Sequence, residues 1–227
     1  MKRHIKLSEA RAEADSALLR HKNILKNIET HAISKNEDND EFLYLMSIPV
    51  IYAAWEGFFR ISCSICLRRK FFQGKKIKSY DAQYAALWLQ KQSFLNSFLD
   101  KLFSSMNLGN PPKKSTAGRY HALVGFTGSI VQWLDEPANH LQNFDDLVMT
   151  HSNVNKDVAL INSEIIGLDI SQVNFGRLND LLGRRNDIAH GGLIDYPSKQ
   201  VVEDLIRYAD CLLDEFNSSV KAWLSGS

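Results

Sequence analysis

Apolar residues recur along this chain at spacings of three and four, the mark of amphipathic helices, and no segment alternates in the manner of a strand. A first long helix is expected from about Leu7 to Ile33, with Ser8 as its cap and Leu18, Leu25 and Ile28 at helical spacing. The polar run Asn36 to Asp40 breaks the pattern. A second long helix follows, from about Asp40 to Phe72, with an apolar stripe of Phe42, Leu45, Ile48, Tyr52, Trp55, Phe59, Ser62 and Cys66. Its middle is apolar on most sides, so it reads as the central buried helix, and Pro49 is positioned to kink it.

Beyond the basic turn Gly74 to Lys78, Asp81 is placed to cap a third helix over Ala82 to Phe103. Asn107 to Ser115 reads as a loop by composition. Shorter helices are expected over His121 to Leu134, Asn139 to Met149 and Val158 to Ile166. A penultimate helix spans about Val173 to His190 and is ended by Gly191-Gly192. After Tyr196-Pro197, Ser198 opens a final helix that runs to about Trp223. The expectation is an all-α fold, one helical domain over residues 1–227, with 71–155 as a helical and loop insertion between a front and a back helical pair.

Composition narrows the class. With 227 residues, 44% of them hydrophobic, the chain can bury a substantial core. The formal net charge of +1 argues against a protein that coats DNA by neutralising many phosphates, though a local basic patch suffices for a nucleic-acid enzyme. Arg68-Arg69-Lys70, Lys75-Lys76 and Lys113-Lys114 are the candidate patches, although each taken alone reads better as a solvated helix end or loop. No apolar core follows the basic amino terminus, and the most apolar stretch, Ile48 to Trp55, is short of the roughly 20 residues of a membrane span. A cytoplasmic protein with no membrane contact is the expectation. Three cysteines make a poor disulfide framework. Cys63 and Cys66 have C-x-x-C spacing, but no second ligand pair lies nearby, and their place in an apolar helix reads as core packing. No metal site and no cofactor are expected.

One segment stands out chemically: Leu181-Leu182-Gly183-Arg184-Arg185-Asn186-Asp187-Ile188-Ala189-His190-Gly191. It gathers Arg, Asn, Asp and His within two helical turns and closes on glycine. By composition alone this could be a capping network. It also resembles the signature of the HEPN superfamily, an Arg followed by a polar residue and then a His, with four to six residues between Arg and His. Tyr52-Ala53-Ala54-Trp55-Glu56-Gly57-Phe58 resembles the W-E-G segment of one HEPN branch. His151-Ser152-Asn153-Val154 and Ile165-Ile166-Gly167-Leu168-Asp169 resemble its carboxy-terminal half, so the likeness covers roughly Phe42 to Phe216 in scattered blocks.

The resemblance implies a HEPN-like helical bundle with the motif at the end of the penultimate helix, and a metal-independent endoribonuclease that leaves a 2′,3′-cyclic phosphate and a 5′-hydroxyl. It also implies service as a toxin or antiviral effector held in check by a regulatory partner or antitoxin. The residue chemistry suits this reaction. Imidazole exchanges protons near neutrality, which fits His190 for proton transfer. A guanidinium offers paired hydrogen bonds to phosphate oxygens, which fits Arg185 for stabilising the transition state. Asn186, Asp187, Glu56 and Arg184 are the supporting candidates. Asn186 would fix Arg185 or the phosphate, and Asp187 would orient His190 or cap the turn. Glu56 would hold Arg184, Arg185 or Asn186, or pair with Arg60 four residues on as a core ion pair.

At 100° per residue, Arg185 and His190 lie about 140° apart around an ideal helix and do not share a face. Two motifs meeting across a two-fold axis would solve this, so a homodimer with RNA bound at a composite site is expected. The rival readings are a non-catalytic RNA- or nucleotide-binding module and a helical protein-interaction module.

Overall fold

In the computed structural model, α1 (Leu7–Ile28) packs through Ala10, Ala14, Ala17, His21 and Leu25. Their spacing of three and four puts them on one face, and the small alanines let the backbone approach α2 closely. The structure describes residues 5–36, 40–71, 74–104, 116–138, 144–150, 153–191 and 196–226. Of the expected stripe, Leu25 is buried and Leu18 and Ile28 are partly so, with the alanines supplying the rest of the packed face, while Leu19 is exposed. Ser8 is not the cap. Lys6 holds that position, and its N–H donates to the Glu9 carboxylate at 3.0 Å. The helix continues into a π-helical turn, Glu29–Ser34.

The second helix, α2 (Glu41–Lys70), runs through Pro49 without ending. More than half of its residues are buried, and every expected stripe residue except the exposed Phe42 is among them. It is long and apolar enough to cross a membrane by length and composition, a test that a core helix also passes. Cys63 and Cys66 are free thiols buried within it, and burial pushes the Cys66 thiol up to about 12. The long final helix, α8 (Lys199–Gly226), closes the core through Val202, Leu205, Ala209, Leu212, Leu213, Phe216, Val220 and Leu224. Trp55 sits at the centre, 5.5 Å from the rings of both Phe59 and Phe216 and 6.2 Å from Phe175. Each such aromatic side chain contributes about 1.5–3 kcal/mol by burial.

The chain divides into two compact units. Phe71–Gln142 forms the smaller, and residues 2–70 with 143–227 form the larger, so residues 143–155 belong with the larger unit. Within the smaller unit the expected single helix over 82–103 is two, α3 (Ala82–Leu89) and α4 (Ser93–Ser104). Tight bonds from the Lys91 and Gln92 N–H groups to the carbonyls three residues back interrupt the ladder. Asp81 takes the N-cap position of α3 but its side chain makes no capping bond. α5 (Thr116–Leu134) lies against α4, with Phe98 stacked on Phe126 at 4.2 Å. A second aromatic group forms where Phe71 meets Trp88 at 4.1 Å and Tyr80 at 4.9 Å.

In the larger unit, α6 (Lys156–Ile166) is capped by Asn155, whose Oδ1 accepts the Val158 N–H at 2.9 Å, and it ends at Gly167 with a left-handed φ of 76°. No helix spans 144–149. There is one 3₁₀ turn, Phe144–Asp146, and the Asn162 side chain ties both the N–H and the carbonyl of Met149. The penultimate helix α7 is Leu178–His190, five residues shorter at its start than expected. Asn174 explains this. Its Oδ1 accepts the Gly176 N–H and its own N–H donates to Glu215, so the local backbone bonds outward instead of into a helix. Among the described residues there is no strand, only one isolated bridge between Lys76 and Pro137. The fold is all-α.

Candidate active site

α2 and α7 pack together within the larger unit, and α2 supplies Tyr52 and, about one turn on, Trp55 and Glu56. Tyr52 and Trp55 are buried at 1% and 0% exposure, and both reach the segment before α6. The Tyr52 hydroxyl accepts the Val154 N–H at 2.6 Å. The Trp55 indole N–H donates to the Val154 carbonyl at 3.1 Å. Both backbone polar groups of the buried Val154 are thereby satisfied, which fixes the adjoining Asn153.

Arg185 projects from α7 onto this platform. Its Cζ lies 5.6 Å from the centre of the Tyr52 ring, within cation–π range. Its Nη1 donates to Asn186 Oδ1 at 2.9 Å and, more weakly, to Asn153 Oδ1 at 3.4 Å. Glu56 completes the group, half-buried and hydrogen-bonded to Tyr52. Burial raises the Glu56 carboxyl above its usual range, while the charges of Arg185 and Arg60 and the Tyr52 hydrogen bond pull it the other way. Burial, with the charge of Glu56, pushes the Tyr52 hydroxyl up to about 12, so it stays protonated at neutral pH.

Of the candidate residues, Arg185, Asn186 and Glu56 are therefore brought together. Arg184 is not among them. It points along the surface to Asp180, donating at 2.9 Å in an i,i+4 pair. Asp187 and His190 are exposed. α7 runs as regular α-helix to His190, and Gly191 closes it with a left-handed φ of 68°. The helix end is undistorted, so His190 and the half-buried Arg185 stay on different faces.

The W-E-G residues divide by role. Trp55 is core. Gly57 packs closely on α1, since an added Cβ there would lie 3.0 Å from the His21 Nε2, so the ring would have to give by a few tenths of an ångström. Only Glu56 faces Arg185. Two residues of this site were not singled out in the sequence, Tyr52 and Asn153. Both fall inside the quoted blocks, which was the available signal.

The basic patches are mostly engaged. Arg68 is buried against Glu13, and Lys76 and Lys78 both pair with Asp135. Lys113-Lys114, the Asn107–Ser115 loop, His140, His151-Ser152 and Gly192 lie outside the described residues. Among the described residues, no group of three or more His, Cys, Asp or Glu side chains is placed to hold a metal ion.

An all-α bundle whose penultimate helix ends in R-N-D-I-A-H-G, with W-E-G on the central helix beneath the arginine, defines a HEPN-type domain. The family model described as RiboL-PSP-HEPN matches residues 10–222, and the chain belongs to that family. No curated protein and no solved structure gives a significant match.

Proposed function

We propose that this chain is a metal-independent endoribonuclease of the HEPN class, working as a homodimer with a composite site. The observation that carries the proposal is Arg185 itself. It is a half-buried cation anchored at one corner by Tyr52, Asn153 and Asn186. Its helix carries an exposed histidine one and a half turns further on. In this reading the ribose 2′-hydroxyl attacks the neighbouring phosphorus and the 5′-oxygen leaves, giving a 2′,3′-cyclic phosphate and a 5′-hydroxyl. His190 takes or returns the proton, and Arg185 holds the charge that builds on the phosphate oxygens. Because the two residues face apart on one regular helix, His190 would come from the second copy. Asp187, one turn before His190, is placed to orient it. The biological role that fits is a cytoplasmic toxin or antiviral effector restrained by an antitoxin or other regulatory protein.

The test is cleavage of mixed-sequence RNA and total tRNA in excess EDTA. Wild type is expected to cut and leave cyclic-phosphate ends. Arg185→Ala is expected to lower the rate by about 10²–10³-fold, the usual cost of removing a group that stabilises developing charge. His190→Ala should abolish cutting at neutral pH. The separation of Arg185 from His190 within one chain also favours a second reading, a module that binds RNA or a nucleotide without cutting it. That reading expects Arg185-dependent binding and no product. Equal cutting by all three proteins would sink the site.

A further inference from the structure

We infer that Tyr52 and Asn153 are positioning residues which hold one corner of the Arg185 guanidinium so that its opposite edge is presented to phosphate. The inference rests on the ribonuclease reading for its substrate, and on geometry for the rest.

A guanidinium is a planar fork of five N–H donors, and it grips a phosphate best through two donors along one edge. Both hydrogen bonds that Arg185 makes, to Asn186 and Asn153, use Nη1. Among the described residues, Nε and Nη2 are its remaining donors, and together they form one edge. An arginine on a helix surface has several rotatable bonds and would sample many directions. Here the Tyr52 ring limits it from one side, and the two amide oxygens limit it at Nη1.

Tyr52 acts twice. Its ring faces the cation while its hydroxyl accepts the N–H of Val154, the residue next to Asn153. Trp55, one turn on, takes the Val154 carbonyl. The Asn153 N–H is itself engaged, donating to the Thr150 carbonyl at 2.7 Å. The backbone that carries this carboxamide is thus fixed by one bond at Asn153 itself and by two at the neighbouring Val154, both of these from the same helix that supplies the ring. Simple docking of α7 on α2 would not require an arginine whose named bonds all leave from one nitrogen.

The experiment is a double-mutant cycle on the full chain. RNA cleavage is measured for wild type, Asn153→Ala, Arg185→Ala and the double variant, with Asn153→Asp as the conservative rescue. Asn153→Ala is expected to lose roughly tenfold in kcat, as for a lost hydrogen bond to a charged group. Asn153→Asp keeps the acceptor and should recover most of that loss. In the Arg185→Ala background, Asn153→Ala should cost nothing further, because Asn153 acts through Arg185. Equal losses in both backgrounds would mean a purely structural asparagine and overturn the inference.

A second readout needs no RNA, so it separates failure of this inference from failure of the ribonuclease reading. The Arg185 side-chain Nε–H signal, assigned by its loss in Arg185→Lys, is followed by NMR. It should be displaced from the free-arginine position by the Tyr52 ring, lose part of that displacement in Tyr52→Phe, which keeps the ring but removes the bond to Val154, and move back in Asn153→Ala. A signal at the free-arginine position in the wild type would overturn the inference whether or not the protein cuts RNA.

Discussion

Glu56 is the residue whose two pulls can be weighed. Burial favours its neutral form, and the positive charges of Arg185 and Arg60 favour its ionised form; burial is the larger, so its carboxyl titrates above the usual range. The folded state therefore binds this proton more tightly than the unfolded state does. The stability it brings is full below the unfolded carboxylate range and is lost as pH rises through the folded value. Glu56→Gln should then match wild type in melting temperature near pH 4 and exceed it near neutrality. Thermal melts across that range check this, and a Gln variant less stable at neutral pH would mean that attraction to Arg185 outweighs burial. At this scale the sequence was legible where partners are local. Arg185 and Asn186 stand side by side in one motif and do meet, whereas Arg184, expected to support the site, pairs instead with Asp180 four residues before it. It was illegible for Tyr52 and Asn153. The Tyr52 hydroxyl meets a backbone group 102 residues away, and Asn153 meets an arginine 32 residues away. No periodicity records such a meeting.

At the scale of elements, α2 is at once the central core helix and the floor of the candidate site. Gly57 illustrates the cost of that double use. His21 is buried on α1, with its Nδ1 2.7 Å from the Ala17 carbonyl, which makes Nδ1 the donor, and its Nε2 side lies over Gly57. Gly57→Ala should force the ring away and destabilise the protein by about 1–3 kcal/mol, the usual penalty for overpacking. Denaturant unfolding measures it, and His21→Ala in the same chain should relieve much of the loss. An unchanged midpoint in Gly57→Ala would mean that α1 gives way easily. Long helices with strong stripes, α2 and α8, were readable with their buried faces nearly complete. Short elements were not. The 82–103 helix is broken by two tight turns, and α7 begins late because the Asn174 side chain takes the Gly176 N–H and the Leu178 N–H turns to the Phe175 carbonyl three residues back. Such competition depends on one side chain and is invisible to a pattern averaged over a window.

At the scale of the whole molecule, the composite-site proposal makes a numerical prediction. Alone, Arg185→Ala is expected to keep about 1% or less of wild-type activity and His190→Ala none at neutral pH. In a mixed dimer of the two, one site loses both groups and the other keeps both. An equal mixture formed by co-expression should thus recover about a quarter of wild-type activity, since half of the dimers are mixed and each has one intact site. Recovery near zero, with mixed dimers verified by two affinity tags, would show that each chain must supply both groups to its own site. Chain order carries a last consequence. The ribosome delivers α2, with the Tyr52 ring and the Glu56 carboxylate, long before it delivers Asn153 and then Arg185. A copy truncated between Asn153 and α7 owns the seat but not the cation, so on the ribonuclease proposal such errors of synthesis would yield inert fragments rather than active cutters of the RNA from which they are being translated.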